Sequence, residues 1–336
     1  MRSPTIFFTS ASEGGLWRTD GSPGGEIRID LDSDPDDFFY PTFFQKKLLF
    51  CASPHGQFGV RWLWASQSKL ESIKKLVIRG AANSFLRAPS PFFEYAKRLF
   101  FRGYSASGSL GLWTTDGTAA GTYEILCDGA SAEGISPCYF AELSGKMLFF
   151  GLDILNRGQL WYSDGTSQGT RQIVVYGASP TGFDPNCCTK FGDKVYFSGR
   201  ARDDRDRFWR TDGTSEGTEE LVVPGNWPYG FGPCGFVELG ERLYFNGPTP
   251  GYTGFSLWRT DGTTAGTELI KENVGPFGPP DRGAPVVLGD RIYFTSQYVK
   301  GKMSLWESDG TNAGTRLVTF LVRQLSLTGW LRSAFR

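Results

Sequence analysis

Apolar positions along the chain fall in short runs rather than long faces. TIFFTS, KLLFCA, RLFFRG, KMLFFG, KVYFSG, RLYFNG and RIYFTS each gather aromatic or branched residues over a few positions, between Gly, Asp, Asn or charged residues. Around Trp258 four such runs follow one another: GFVEL, RLYFNG, SLWRTDG and TELIKE. Alternation bounded by turn residues is the pattern of half-buried β-strands. No run reaches the roughly 18 apolar residues of a membrane-spanning helix.

The runs repeat. LWRTDGSPGG, LWTTDGTAAGT, LWYSDGTSQGT, FWRTDGTSEGT, LWRTDGTTAGT and LWESDGTNAGT carry Trp17, Trp113, Trp161, Trp209, Trp258 and Trp306. From Trp113 onward the steps are 48, 48, 49 and 48, whereas Trp17 to Trp113 is 96, twice the period. A degenerate copy, LWASQSKLESIKKLVI, fills that gap with Trp64, and places the apolar pair Leu76 and Val77 where other copies have theirs. Seven copies of 48 residues account for all 336. Four short strands per repeat, seven times over, predict an all-β, seven-bladed β-propeller with four-stranded antiparallel blades, one domain over 1–336. One such sheet cannot bury both faces alone, so the blades must stack.

Spacing also suggests how the ring closes. Pro41, Pro137, Pro185 and Pro233 each lie 24 residues after their Trp, and are expected just before an innermost strand. Trp306 plus 24 reaches Trp330, leaving residues 331–336. The N-terminus begins at a second strand, TIFFTS. Residues 331–336 are therefore expected to complete the first blade and remove an open edge.

Composition sharpens this picture. Aromatics make up 15% of the chain, with 44 Gly and 19 Pro, as a turn-rich β protein requires. Basic and acidic residues balance at 35 each, which argues against a phosphate-tracking surface and hence against nucleic acid as a partner. MRSPTIFFTS lacks the apolar run of a signal peptide, so an intracellular location or a removed leader is expected. The six cysteines show no CxxC spacing and are read as reduced thiols. A monomer is expected.

The LWx(T/S)DGTxxGT segment stands in five copies, with DGSPGG in a sixth and the degenerate copy at Trp64. It resembles the ELWxxDGT repeat family, grouped with hyalin-type repeats in bacterial, mostly surface or secreted proteins. The resemblance covers the whole chain. It implies a propeller fold and a secreted or cell-surface location, but no activity and no residue roles.

Asp20, Asp116, Asp164, Asp212, Asp261 and Asp309 each open a DGT turn. A calcium loop needs several acidic oxygens, and each turn offers one carboxylate. An Asx turn, with the carboxylate accepting a backbone N–H two residues on, is the expected role. Cys138, Cys187 and Cys234 follow the prolines of three consecutive copies. A thiolate metal site there lacks a histidine, so apolar packing is expected and no metal or cofactor is assigned. No P-loop or HExxH motif occurs.

Variable loops concentrate on the face bearing the second-to-third-strand and blade-joining connections, where function is expected. Phe38, Phe39, Tyr40, Tyr104, Trp227, Tyr229, Phe231, Tyr252, Phe277 and Tyr298 fall in them. Tyr40, Tyr104, Trp227, Tyr229 and Tyr252 are the candidate ligand-binding residues. GRARDDRDR is expected to be a self-neutralising surface loop. The leading expectation is a non-enzymatic propeller that binds a protein, glycan or small molecule. The alternative is an enzyme, a hydrolase, lyase or cyclase, working at the channel mouth with His55, Asp184 and Tyr229 as candidates from three blades. A structural cell-surface or adhesion role is the third reading.

Overall fold

The computed structural model describes residues 6–9, 16–19, 22, 24–29, 36–53, 60–66, 73–82, 84–86, 92–225, 227–249, 251, 254–275, 285–299 and 302–320. Among them are seven antiparallel sheets and no helix. Six sheets have four strands in meander order; the first has three, Ile6–Thr9, Leu16–Thr19 and Ile27–Arg28. The arrangement is consistent with a seven-bladed propeller, and the sheets are called blades one to seven in chain order. Blade four is representative: Cys138–Leu143, Lys146–Leu152, Gly158–Ser163 and Arg171–Ile173.

The repeat is legible in the register. In every blade the repeated Trp pairs with an aromatic residue of the second strand: Phe8↔Trp17, Phe50↔Trp64, Phe101↔Trp113, Phe149↔Trp161, Phe197↔Trp209, Phe245↔Trp258 and Phe294↔Trp306. Opposed large side chains on one face are the unit of sheet stabilisation. Trp113, Trp161 and Trp209 are among the largest fully buried side chains.

The blades bury one another. Leu16 of blade one packs with Phe50 and Trp64 of blade two, and Leu49 and Leu63 of blade two pack with Phe101 and Trp113 of blade three. The same contact recurs from three to four, four to five, five to six and six to seven. The apolar pair at the end of the outer strand divides between two environments. Ile125, Ile173 and Leu221 are buried, while Leu126, Val174 and Val222 beside them are 70%, 59% and 57% exposed.

The DGTxxGT turns are structural, as expected. Asp116 Oδ1 accepts the Thr118 N–H at 2.9 Å and the Thr118 hydroxyl at 2.7 Å. The Gly121 N–H donates to Thr118 Oγ1, and Thr115 and Thr122 hydroxyls meet at 2.7 Å. The same Asp-to-Thr bonds recur at Asp164, Asp212, Asp261 and Asp309. The first glycine of each turn is required by its backbone: Gly117 has φ 81° and Gly165 φ 92°.

Two expectations need correction. Pro137, Pro185 and Pro233 do immediately precede innermost strands, but Pro41 lies inside one, Asp36–Phe44. Register explains this. Phe44↔Lys47 in blade two matches Leu143↔Lys146 in blade four, so Pro41 corresponds to Phe140 and Tyr40 to Tyr139. Trp17 to Phe44 is 27 residues, against 30 from Trp113 to Leu143, so the segment entering blade two is three residues shorter and the proline 24 after the Trp falls inside the strand. Secondly, Tyr40 and Tyr104 sit in strands, Asp36–Phe44 and Arg98–Tyr104, not in loops. The expected closing strand, 331–336, lies outside the described residues.

Candidate functional site

The face bearing the variable loops is braced before it offers anything to a ligand. The blade-joining loop pairs with the second-to-third-strand loop of the blade it enters, through Ala81↔Ser105, Ala130↔Asp153 and Ala178↔Ala201. Each blade-joining loop then drives one apolar side chain inward: Phe85, Ile135, Phe183 and Phe231, all 2% exposed or less. Three of them meet the Trp of their blade edge-on, Phe85–Trp113 at 4.7 Å, Phe183–Trp209 at 5.1 Å and Phe231–Trp258 at 5.0 Å. Glycine makes the room. A Cβ on Gly199 would lie 2.7 Å from the Phe183 ring.

These contacts sort the expected binding aromatics. Phe231 belongs to the core. Trp227 meets Phe231 edge-on at 4.9 Å, lies 5.8 Å from Trp258, and donates its Nε1–H to Val223 O at 3.0 Å. Tyr40 is half-buried at φ 52°, its carbonyl accepting the Thr42 hydroxyl. Tyr104 is half-buried, and its N–H donates to Phe85 O at 2.8 Å. Tyr229 alone of the described candidates stands well out, at 71% exposure. Tyr252 and His55 lie outside the described residues.

Asp184 has the more developed surroundings. It occupies φ 47°, directly before Pro185, where steric clash with the proline ring normally favours an extended residue. Its N–H donates to Gly158 O at 3.1 Å, anchoring it to blade four as blade five begins. Its carboxylate lies across Gly158, where a Cβ would sit 2.0 Å from Oδ1. Arg200, the last residue of the strand Lys194–Arg200, brings Nη1 to 3.3 Å from Asp184 Oδ2. Arg200 is itself held by its backbone, with its N–H on Phe183 O and its carbonyl accepting from Ser179 N.

One junction further round, the same two facing positions are exchanged. Gly232 stands where Asp184 does, and Asp206 where Gly158 does; a Cβ on Gly232 would lie 2.9 Å from Asp206 Cβ. Each junction thus places one carboxylate at the rim, from opposite sides. Sequence reasoning missed this swap, although the 48-residue period aligns Asp184 with Gly232 and Gly158 with Asp206. Backbone in sparsely populated regions clusters here as well. Ser136 (φ 48°), Tyr139 (φ 55°), Asp184 (φ 47°) and Cys187 (φ 58°) all lie where innermost strands begin. Such strain persists only where surroundings over-determine it, and is typical of functional sites.

The charged loop after Arg200 neutralises itself, as expected. Asp203 pairs with Arg207 at 2.7 Å and Arg205 at 3.8 Å, and Arg207 Nε reaches Glu220 at 3.5 Å. Asp204 accepts from the Ser179 and Thr181 hydroxyls, which hold its carboxyl below the usual range. In blade four, burial would raise the Asp153 carboxyl. Hydrogen bonds from the Arg157 side chain and backbone, Leu155 N and Gln159 outweigh it and hold it low. Of the expected trio, His55 lies outside the described residues. Asp184 is at the start of blade five, and Tyr229 is in the loop into blade six.

No protein-family model matches the chain, and no curated protein matches it. Solved structures do. The chain is similar to one from a study of two prolyl endopeptidases, at 11% identity and TM-score 0.61, over 95% of this chain and 49% of the other. It is similar to a puromycin-hydrolysing peptidase of Mycobacterium tuberculosis, at 11% identity and TM-score 0.56, over 96% and 55%. A puromycin hydrolase variant complexed with PGG matches at 12% identity and TM-score 0.55, over 91% and 48%. At these identities the likeness is one of fold, and the chain spans about half the length of the structures it matches. The expectation of a non-enzymatic binding propeller is corrected by these neighbours. The three matched proteins are described as peptidases or hydrolases.

Proposed function

We propose that this chain acts in peptide or peptidyl-amide hydrolysis, with substrate taken up at the rim where the innermost strands of blades four to six begin. The observation that carries the reading is the Asp184–Arg200 pair. Its side chains are 39% and 43% exposed, so both charges face solvent at the rim while their backbones are pinned by Gly158 and Phe183. A short peptide ends in an ammonium and a carboxylate. A fixed carboxylate and guanidinium offer one charge-assisted partner to each. The solved neighbours support the class of chemistry: they are prolyl endopeptidases and puromycin hydrolases, and in the former inter-domain dynamics has a role in catalysis and specificity.

Two sequence readings stand beside it as proposals. The repeat is of the ELWxxDGT type, on the strength of the LWx(T/S)DGTxxGT copies. The first blade is completed by residues 331–336, on the strength of the Trp306 spacing.

The test uses short peptides with free ends and the same peptides acetylated and amidated. Binding to the full chain is measured by calorimetry, and cleavage products by mass spectrometry. Free-ended peptides are expected to bind at least tenfold more tightly and to be cleaved. Equal binding of both sets, or no cleavage of either, overturns the proposal.

A further inference from the structure

The innermost strands of blades five and six, Asn186–Phe191 and Cys234–Leu239, lie against one another, each beginning directly after a proline. Both open on irregular backbone. Register shifts fall between Asn186 and Thr189 and between Cys234 and Val237, with Cys187 at φ 58° and Gly235 at φ 64°. A bulge re-aims the side chains beside it. Here it brings two sulfurs together across the junction. The Cys187 and Cys234 thiols face one another closely enough to interact, and the Gly235 N–H is directed at the Cys187 sulfur. Asn246, opposite Cys234 in the sheet, donates its Nδ2–H to Cys234 Sγ at 3.7 Å.

The two thiols are unequal. Contact with Cys187, with help from Asn246 and against burial, holds Cys234 below the usual thiol range. Contact with Cys234 and burial hold Cys187 well above that range. Two thiols facing one another across a strand junction are the arrangement that thiol–disulfide exchange uses, with the thiol of lower pKa as the attacking group. The remaining thiols are not set up in this way. Burial pushes Cys138 up to about 11 and Cys127 up to about 12, and pushes Cys51 and Cys188 higher still.

We propose that Cys187 and Cys234 are a redox-active dithiol that closes to a disulfide between blades five and six by exchange with a low-molecular-weight disulfide. The Cys234 thiolate attacks one sulfur of the small disulfide, forming a mixed disulfide and expelling one small thiolate. Cys187 gives up its proton and attacks the Cys234 sulfur, expelling the second small thiol. The protein loses two electrons and two protons, and one small disulfide becomes two small thiols. The closed form staples two innermost strands at the rim.

The reaction does not depend on the hydrolase reading, and its test does not use activity. The full chain, as a Cys188→Ser variant to remove the adjacent thiol, is incubated with oxidised glutathione. Free thiols are then alkylated, and the protein is digested without reductant for mass spectrometry. A linked peptide pair joining Cys187 to Cys234 is expected, with Cys51 recovered alkylated. Adding Cys187→Ser should stop the reaction at a glutathione adduct on Cys234. Circular dichroism of each variant confirms the fold before oxidation. Recovery of Cys187 and Cys234 both alkylated, or linkage of Cys138 in preference, overturns the proposal. So does an adduct on Cys234 that persists while Cys187 is present.

Discussion

The ring of Phe183, carried by the loop that enters blade five, meets the Trp209 indole edge-on, with centroids 5.1 Å apart and planes at 87°. The two residues are 26 apart in sequence and come from a variable loop and from the most regular strand of the repeat. Their contact ties the loop face to the core. Phe183→Ala leaves a cavity beside Trp209 and Phe197 and should cost about 3–5 kcal/mol. Tyr229→Ala, in the corresponding face but 71% exposed, should change stability by less than about 0.5 kcal/mol. Chemical denaturation of both variants checks the contrast; equal losses would mean that the loops are not anchored in this way.

A second prediction concerns the turns. A Cβ on Gly169 would lie 2.0 Å from the Asp164 carboxylate. Gly169→Ala should therefore destabilise the protein by about 1–3 kcal/mol, the usual cost of forcing atoms into an occupied space. In an Asp164→Ala background the same change should cost much less, because the carboxylate is gone. Additive losses in a double-mutant cycle would show that the carboxylate is not the obstacle.

The turn carboxylates also set an acid limit. Thr166 hydrogen bonds hold Asp164 below the usual range. Thr214 does so for Asp212, Thr263 for Asp261 and Thr311 for Asp309. At Asp116 burial opposes the shift, and the Thr118 bonds win. A carboxyl whose folded value is depressed contributes stability that is full above its unfolded value, about 4, and is lost as pH falls through the folded value. Thermal melting should therefore be flat from neutral pH to about pH 5 and drop below about pH 4. Asp164→Asn keeps the acceptor and removes the charge, so it should make that drop shallower. An unchanged acid profile would place the titrating groups elsewhere.

Neighbouring blades are latched on the turn face by arginines. Arg259 of blade six donates Nη1–H to Gly310 O of blade seven at 3.1 Å, and its Nη2 lies 2.7 Å from Glu268 of its own blade. Arg210 reaches Gly262 O of the next blade in the same manner. The hydrogen bond crosses blades and the ion pair does not. Arg259→Ala should cost about 1.5–3 kcal/mol, and Glu268→Gln, which breaks only an exposed pair, less than about 1 kcal/mol. Hydrogen exchange should quicken in the turn 309–315 for the arginine variant and stay unchanged for the glutamate variant.

Asp184→Asn and Arg200→Gln test the rim. Each removes one half of a surface pair, so stability should move by no more than about 1 kcal/mol. Peptide binding should weaken at least tenfold, with Asp184→Asn no longer sensitive to acetylation of the peptide and Arg200→Gln no longer sensitive to its amidation. If either variant binds free and capped peptides as the parent does, that residue has no part in uptake.

The local rules of this protein were legible in its sequence. A 48-residue period, an aromatic opposite a Trp, and a DGTxxGT turn need only hydrogen bonds and steric rules within a few residues, so reading one copy reads the others. Blade stacking followed too, because the apolar residues of one sheet exceed what it can cover by itself. The tertiary structure decided what lies between copies. Counting from Trp17 put Pro41 before a strand, whereas a shorter segment between blades one and two moved it inside one. Loop aromatics looked like a binding surface, yet Phe231 and Trp227 fold onto Trp258, because an apolar ring gains more from the core than from solvent. Asp184 facing Gly158, Asp206 facing Gly232, and Cys187 meeting Cys234 all join residues of adjacent blades. Such pairings depend on how two sheets are set against each other, a relation that no spacing within one repeat contains.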